Sequence, residues 1–205
     1  MLARPDARRA AIFGAGVQAR TQLEAVQAVR PIQEAWVYDL NRQQAENYAA
    51  EMSRALGLEI HVASSPAEAL KQADVICTAT TSTRPVFDDA DLKPGAHINA
   101  VGAYTPEMQE IPAETVQRSK VVIDHQQASM AEAGDLLIPL KLGLISKGDI
   151  YAELGEIAAG LKPGRASAEE ITFFKSVGVA VQDVAAANAV LQAAKKMNLG
   201  TEINL

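Results

Sequence analysis

The sequence of 205 residues has one cysteine, only 4% aromatic residues and no excess of positive charge. A single cysteine excludes an internal disulfide and suits a reducing compartment, so we expect a cytoplasmic protein. The formal net charge of −6 argues against nucleic acid as a partner, because phosphate binding needs a basic surface. No apolar run is long enough to span a membrane, so no membrane partner is expected. Residues 1–9 are basic without an apolar segment, which does not fit a secretory signal.

Apolar residues make up 48% of the chain and alternate between short continuous runs and stripes of helical spacing. The runs predict strands at residues 10–13, 35–38, 58–62, 74–79, 95–101, 120–123 and 170–174. The stripes predict helices at 17–29, 42–56, 66–71, 151–159 and 176–197, the last with a weak first turn because of Gly178. Strands that are continuously apolar are buried on both faces, as in a parallel sheet covered by helices on both sides. The sequence therefore predicts a doubly wound parallel α/β fold with a long C-terminal helix.

A glycine-rich string, Gly14-Ala15-Gly16-Val17-Gln18-Ala19, connects the first predicted strand to the first predicted helix. It fits the pattern G-x-G-x-x-G/A, which is weak alone but specific between a strand and a helix. Gly14 would allow a tight turn, Gly16 would let a pyrophosphate approach the backbone, and Ala19 would allow close helix–strand packing. Free N–H groups at the helix start, at Val17 and Gln18, would face the phosphates. The pattern predicts a Rossmann-type dinucleotide site.

An acidic residue, Asp39, ends the second predicted strand about 20 residues beyond the glycine-rich string. A carboxylate at this place accepts hydrogen bonds from the ribose of adenosine. Asp39 would repel a 2′-phosphate and favours NAD, whereas the nearby Arg42 could pair with such a phosphate and favours NADP. Because the acid occupies the ribose position itself, we expect NAD, with NADP as the alternative.

Polar loops follow the later predicted strands at the edge where open parallel sheets bind ligands. Thr80, Thr81 and Ser82 follow the fourth strand and would contact the ribose or the nicotinamide, although ordinary loop capping explains any one of them equally well. Residues 101–104 follow the fifth strand, and residues 124–125 follow the sixth. The sequence thus places candidate ligand contacts on three neighbouring loops.

Other reactive side chains have ordinary structural explanations. His97 lies inside the fifth predicted strand and is expected to be a hydrogen-bonded core histidine rather than a catalytic one. Cys77 lies within the fourth strand and is expected to be a small buried apolar residue rather than a nucleophile. Glu153 and Glu156 share one face of a predicted helix, for which solvation is the default. The three histidines lack the spacing of metal ligands, so we predict no metal site.

Several strings occur together and in order along the chain: Gly14–Arg20, Val37–Asp39, Ala73–Val75, Thr78–Thr80, His97–Ala103, Glu132–Asp135, Ala152–Glu156 and Phe174–Asp183. Together they resemble the ornithine cyclodeaminase/mu-crystallin family over essentially the whole chain. That family includes ornithine cyclodeaminases, alanine dehydrogenases and reductases of cyclic imino acids such as pyrroline-2-carboxylate. The resemblance implies an NAD(P)-dependent oxidoreductase that transfers hydride at the carbon bearing an amine or imine of a small amino or cyclic imino acid.

The resemblance also implies roles for individual residues. The glycine-rich loop would hold the pyrophosphate and Asp39 the ribose, while residues 80–82 and Val101 would approach the nicotinamide. Ser176 and Val177 would close over the nicotinamide from the C-terminal segment. The resemblance implies two units, a dinucleotide-binding domain at 1–182 and a helical extension at 183–205.

Two departures from the family pattern bear on activity. Many members carry an acid–base Asp where this chain has Tyr104, and a Lys where it has Met108. A phenol is a poor general base at neutral pH, so imine reduction is favoured over cyclodeamination, with Tyr104 as the catalytic candidate. Family members also have an N-terminal substrate domain that we expect to be absent here.

The absent domain has a consequence for partners. The C-terminal helix should then expose an apolar face, which predicts self-association or a separate substrate-domain partner. The alternative function is a non-catalytic dinucleotide-binding module or a truncated fragment.

Overall fold

Every strand of the central sheet runs parallel to its neighbours. The computed structural model describes residues 1–201 and 203, and in these residues the sheet has eight strands flanked by eight α-helices. The strands are β1 (Arg9–Phe13), β2 (Glu34–Tyr38), β3 (Glu59–Val62), β4 (Val75–Thr78), β5 (His97–Ala100), β6 (Lys120–Ile123), β7 (Ile150–Glu153) and β8 (Thr172–Lys175). The helices are α1 (Val17–Val29), α2 (Arg42–Leu56), α3 (Pro66–Leu70), α4 (Ala113–Arg118), α5 (Gln126–Glu132), α6 (Gly134–Lys141), α7 (Leu154–Ala158) and α8 (Ala180–Met197). The predicted doubly wound parallel α/β fold is confirmed.

The order of the strands creates a crevice at the carboxyl edge of the sheet. The order is β3-β2-β1-β4-β5-β8-β6-β7, so the chain builds outward from β1 to β3 and then returns to the other side of β1 with β4. Loops that leave β1 and β4 therefore diverge to opposite faces of the sheet, and the space between them is where open α/β sheets bind ligands.

The core lies on both faces of the sheet because strand side chains alternate between them. From β1, Ile12 packs with Leu23 and Met52 of α1 and α2 on one face. Phe13 packs with Ile98 of β5 on the other face, where α3, α4 and α6 contribute further side chains. Each large apolar side chain that is fully buried stabilises the folded chain by roughly 1.5–3 kcal/mol. Strands that are apolar on both faces are therefore most stable with helices packed on both sides of the sheet.

Helix ends follow local sequence signals. The side chain of Asn41 accepts a hydrogen bond from Gln44 N at 3.3 Å and caps α2, which ends at Gly57 in the left-handed region with φ +62°. The side chain of Ser65 accepts from Glu68 N at 3.2 Å and caps α3. These caps satisfy N–H and C=O groups that lack partners inside the helix, and Asn, Ser and Gly are residues that commonly occupy such positions.

One predicted helix, at 151–159, is wrong in its first half. Residues Ile150–Glu153 form β7, and only Leu154–Ala158 is helical. Pairing with β6, in which Ala152 lies opposite Val122, overrides the helical spacing of the local sequence. Glu153 and Glu156 consequently do not share a solvated helix face, because Glu156 Oε2 accepts a hydrogen bond from Glu153 N at 2.9 Å and caps the short helix.

The C-terminal helix begins later than its apolar spacing suggests. Gly178 has φ +88° and precedes α8, which starts at Ala180, so residue 183 lies inside this helix. All 18 residues of α8 are among those that the structure describes, and none of them is buried. Exposed apolar side chains along it include Val181, Val184 and Val190. The short helices α4, α5 and α6 have no counterpart in the helices that the sequence predicts.

Candidate functional site

The two glycines of the glycine-rich loop have different structural requirements. Gly14 has φ +93°, and a Cβ atom there would lie 2.7 Å from the carbonyl oxygen of Ala79. Gly16 has an ordinary extended backbone, φ −82° and ψ −171°, and apart from its own atoms and those of its two chain neighbours, no heavy atom of the described residues lies within 4 Å of the position its Cβ would take. The chain's own packing therefore explains Gly14 but not Gly16. The open space at Gly16 fits a ligand that approaches the backbone closely.

The start of α1 faces this space. Gly16 is its N-cap and supplies no side-chain hydrogen bond, and Val17 is exposed. The N–H groups of the first turn, including those of Val17 and Gln18, are thus not satisfied by a capping side chain, and an anion is favoured there by the helix dipole. Ala19 is fully buried, and its carbonyl oxygen accepts a hydrogen bond from Tyr48 Oη at 3.0 Å.

Arg20 holds the glycine-rich loop through hydrogen bonds to its backbone, a role that the sequence did not indicate. Its Nη1 donates to the carbonyl oxygens of Ala15 and Gly16 at 2.8 and 2.9 Å. Its Nη2 donates to Glu51 Oε2 on α2 at 2.7 Å. The guanidinium therefore connects the loop to α2. The only sequence signal was the position of Arg20 directly after the glycine pattern.

Asp39 lies beside the glycine-rich loop, at the end of β2. Its Oδ2 accepts from Ala15 N at 2.9 Å and its Oδ1 accepts from Asn41 N at 2.8 Å. The structure thus brings Asp39 next to the loop, where a ribose attached to a bound pyrophosphate would lie. Arg42 is exposed, and its Nε donates to Glu46 Oε1 one helical turn away at 3.0 Å.

The loop after β4 reaches the same crevice. Thr80 Cγ2 would lie 3.1 Å from a Cβ atom at Gly14, so the two loops are adjacent. Ser82 N donates to Thr80 Oγ1 at 3.1 Å, and Thr81 beside it is exposed. Val101, at the end of β5, donates its N–H to Thr78 O at 3.0 Å. The structure therefore places Thr80, Ser82 and Val101 at one edge, on the side of the crevice away from Asp39.

The segment that contains Ser176 and Val177 is held by an acid on a different strand. Asp124, which follows β6, accepts from Ser176 Oγ at 2.9 Å and from Val177 N and Gly178 N at 2.8 Å each. Burial would raise the pKa of Asp124, but the hydrogen bonds from Ser176 and the backbone outweigh it and keep the pKa below its ordinary value. The sequence placed Asp124 at this edge but indicated no partner for it.

Three charged side chains below these loops, Glu110, Asp135 and Lys175, are fully buried. Asp135 Oδ2 lies 3.0 Å from Lys175 Nζ, and Asp135 Oδ1 accepts from Glu110 N at 2.7 Å. Asp135 and Lys175 belong to strings that carry the family resemblance, but Glu110 belongs to none of them. Sequence reasoning missed all three as parts of the site, because their meeting depends on how the strands are arranged.

Tyr104 is 52% exposed in the loop that follows β5. His97 is the core histidine that the sequence predicts: its Nδ1 lies 2.9 Å from Thr172 Oγ1 and its Nε2 3.0 Å from Asn99 Oδ1. Burial lowers the pKa of His97 to about 4. Cys77 is also buried, as expected, and burial raises its pKa to about 12, which leaves the thiol protonated and unreactive.

The described residues offer neither a metal-binding cluster nor a membrane-spanning helix. In residues 1–201 and 203, no three or more His, Cys, Asp or Glu side chains lie together in a way that could hold a metal ion. In the same part of the chain, no helix combines the length and the apolar character needed to cross a membrane.

Comparisons with known proteins agree with this geometry. A family model described as the ornithine cyclodeaminase/mu-crystallin family matches residues 1–198. A Delta(1)-pyrroline-2-carboxylate reductase of Bacillus cereus is 40% identical over 203 residues, which cover 98% of this chain and 62% of that protein. An alanine dehydrogenase of Archaeoglobus fulgidus is 37% identical with the same coverage. The chain thus spans less than two thirds of the length of these relatives.

Solved structures of similar proteins contain a nicotinamide cofactor. The Delta(1)-pyrroline-2-carboxylate reductase of Thermococcus litoralis, solved with NADH and L-proline, has a TM-score of 0.95 at 46% identity and matches 98% of this chain and 62% of its own. An archaeal alanine dehydrogenase dimer with bound NAD has a TM-score of 0.91 at 36% identity, over all of this chain and 62% of its own. With matches along nearly its whole length in sequence and in fold, the chain belongs to the ornithine cyclodeaminase/mu-crystallin family.

Proposed function

We propose that this chain binds NAD(H) in the crevice between β1 and β4 and forms the cofactor-binding part of a reductase of small cyclic imino acids. The observation that carries the proposal is the open space at Gly16 beside the uncapped start of α1. A glycine that the chain's own packing does not require, next to N–H groups without a capping side chain, fits a pyrophosphate. The NADH and NAD found with similar structures support the same ligand.

NAD is favoured over NADP by the charges near the ribose position. The Asp39 carboxylate lies beside the loop and would repel a 2′-phosphate. The Arg42 guanidinium, which could offset that repulsion, is paired with Glu46 on the same helix. We therefore propose that Asp39 binds the ribose hydroxyls and that Arg42 makes at most a minor contribution to binding.

The nicotinamide half would lie on the other side of the crevice. We assign Thr80, Thr81, Ser82 and Val101 to one side of it, and Ser176 and Val177 to the segment that closes over it. When bound, NADH would supply the hydride for the carbon of a protonated imine, and the products would be an amine and NAD⁺. The role of this chain's residues in that reaction is to hold and orient the cofactor.

Tyr104 favours reduction over deamination. It stands where many relatives with the family pattern carry an acid–base Asp, and it is exposed in the loop that follows β5. Cyclodeamination needs a base that removes a proton from the amino acid, and a phenol is poor at this near neutral pH. Reduction needs no such base, and its hydride comes from the cofactor. The pyrroline-2-carboxylate reductases among the relatives agree with this choice.

The substrate contacts and the assembly are proposed to involve a partner. The exposed apolar residues of α8 offer a surface to a further domain or to a second copy of the chain. The proposed units of the chain are residues 1–182 and 183–205. The similar alanine dehydrogenase is a dimer, which supports association of this kind. The buried reduced cysteine suits a cytoplasmic location.

Calorimetric titration with NAD⁺, NADH, NADP⁺ and NADPH tests the cofactor site. We expect binding of NAD⁺ and NADH, with the phosphorylated forms bound at least about tenfold more weakly. Gly16→Ala should lower the affinity for NADH at least about tenfold, because its methyl group occupies the phosphate position. Gly155→Ala is the matched control, since its Cβ also meets open space without a positive φ. A folded chain that binds none of the four would overturn the proposal.

Turnover distinguishes the two chemistries. With any required partner domain supplied, we expect NADH to be oxidised when pyrroline-2-carboxylate is added. The measurement is the fall in absorbance of the reduced cofactor. With NAD⁺ and ornithine we expect no release of ammonia. Formation of proline and ammonia from ornithine would show that the preference for reduction is wrong.

A further inference from the structure

The buried charges below the crevice are costly and lie in one connected group. Glu110, Asp135 and Lys175 have no exposed surface, and two of the three are acids. Removing a charge from water costs several kcal/mol unless hydrogen bonds and opposite charges replace the water. The contacts of these three side chains show which parts of the chain they connect.

Glu110 connects the ends of β4 and β5. Its Oε1 accepts from Thr80 N at 2.6 Å, and its Oε2 accepts from Thr78 Oγ1, Gly102 N and Ala103 N at 3.0, 2.8 and 3.0 Å. Three of these four donors are backbone N–H groups, which can only donate. Burial and the nearby Asp135 raise the pKa of Glu110, whereas these donors and Lys175 favour the charged form. Both oxygens therefore act as acceptors toward two separate loops.

Asp135 and Lys175 extend the connection to β8. Asp135 Oδ1 accepts from Glu110 N and from Ile111 N at 2.7 and 3.0 Å, which fixes the backbone that carries Glu110. Asp135 Oδ2 pairs with Lys175 Nζ at 3.0 Å. Lys175 is the last residue of β8 and directly precedes Ser176. The buried charges thus contact two of the three segments assigned to the nicotinamide side, and the third segment, at 176–177, directly follows Lys175 in the chain.

We propose that Glu110 is a positioning residue for the nicotinamide half of NAD(H). Its carboxylate fixes the loops at 79–82 and 101–104 relative to each other before the cofactor arrives, and the Asp135–Lys175 pair fixes the segment at 176–177 in the same frame. Loops that are already ordered lose little conformational entropy when the ligand binds, so the nicotinamide half is held more tightly and in one orientation. This inference rests on the proposed function and deepens it.

The test compares NADH with ADP-ribose, which has the same adenine half but no nicotinamide. Calorimetry measures both affinities for the 205-residue chain and for Glu110→Gln. In the variant an NH₂ group replaces one of the two carboxylate oxygens and faces a backbone N–H donor, so the side chain can no longer accept hydrogen bonds from both loops through two oxygens. We expect affinity for NADH to fall about tenfold while affinity for ADP-ribose changes less than about twofold. A positioning role predicts this split, and a merely structural role does not.

Asp74→Asn is the matched control. Asp74 also holds backbone groups, since it accepts from Arg8 N and Arg9 N at 2.8 and 3.0 Å, but it lies just before β4, at the opposite edge of the sheet. We expect this variant to lower the stability and leave the ratio of the two affinities unchanged. If Glu110→Gln does not fold, Thr78→Val decides, because it removes one donor to Glu110 and keeps a branched side chain in β4. Its expected loss is smaller, about threefold for NADH alone.

The outcomes separate the inference from the proposed function. Equal losses for both ligands, or no loss for either, would overturn the positioning role while the dinucleotide site stands. If the unaltered chain binds neither NADH nor ADP-ribose, the proposed function falls and the inference with it. Loss for NADH alone in Glu110→Gln, or in Thr78→Val if the first variant does not fold, supports the inference.

Discussion

The two sides of the crevice are built by different means. On the side that we propose for the adenine half of the cofactor, the glycine-rich loop and Asp39 belong to one continuous β1–α1–β2 unit, and their geometry depends on the backbone. On the side that we propose for the nicotinamide half, Glu110, Asp135 and Lys175 come from separate segments and meet as buried charges. The first side is built from residues that are close in sequence and has open space at Gly16, whereas the second depends on contacts between distant residues.

This difference predicts where each side is vulnerable. A backbone cradle fails when a side chain strains its dihedral angles or occupies the ligand's space. A buried network fails when one charge is left without its partner. Three comparisons test this difference between the two sides, and they are given from the largest expected effect on stability to the smallest.

Breaking the buried ion pair should have the largest effect. Lys175→Met leaves the Asp135 carboxylate buried without a counter-charge, and we expect the free energy of unfolding to fall by about 3–5 kcal/mol. The double variant Lys175→Met with Asp135→Asn removes both charges and keeps an oxygen for the two backbone donors, so it should recover most of that loss. Urea unfolding measures both. Arg42→Met, which breaks an exposed pair, should cost less than about 0.5 kcal/mol. A double variant no more stable than the single would contradict this account.

The two loop glycines should separate stability from binding. Gly14→Ala combines a positive φ with a methyl group 2.7 Å from the Ala79 carbonyl oxygen, so we expect a loss of about 2–4 kcal/mol. Gly16→Ala meets open space at an ordinary φ and should change the stability by less than about 0.5 kcal/mol. Thermal unfolding of both variants checks the prediction. Similar losses in the two would mean that the chain's own packing requires Gly16 as well.

The dependence of stability on pH should report the protonation of a buried histidine, His97, which lies where β5 begins, at the edge of the sheet opposite the crevice. The pKa of His97 is lowered to about 4 in the folded chain by burial, whereas an unfolded histidine takes up its proton near pH 6.5. Its contribution to stability is therefore complete above pH 6.5 and is lost as the pH falls toward 4. Between pH 7 and pH 5 we expect a decline of about 2 kcal/mol from this group.

Two variants isolate that decline. His97→Asn should flatten the pH dependence between pH 7 and pH 5, even though the variant itself is less stable. His61→Asn, at a partly exposed position on β3, should leave it as in the unaltered chain. Denaturant unfolding at several pH values gives the comparison, and an unchanged slope in His97→Asn would assign the pH dependence to other groups.

Sequence reasoning succeeded where the determining contacts are local. The strand–turn–helix around Gly14 and the apolar runs of β1 and β4 each depend on neighbours within a few residues. It failed at residues 150–153, where pairing with β6 converts a predicted helix into β7. It also could not anticipate that Glu156 caps a short helix instead of lying on a solvated face.

The sequence by itself determined the doubly wound fold, the glycine-rich loop, the acid at the end of β2 and the identity of the family. These features depend on hydrophobic periodicity and on short motifs, and both are properties of contiguous residues. Only the tertiary structure decided that Glu110 connects two loops, that Asp124 holds Ser176 and Val177, and that Asp135 pairs with Lys175. The order of β5, β8 and β6 in the sheet brings these distant segments together, and a buried charge shows its partner only once that order is known.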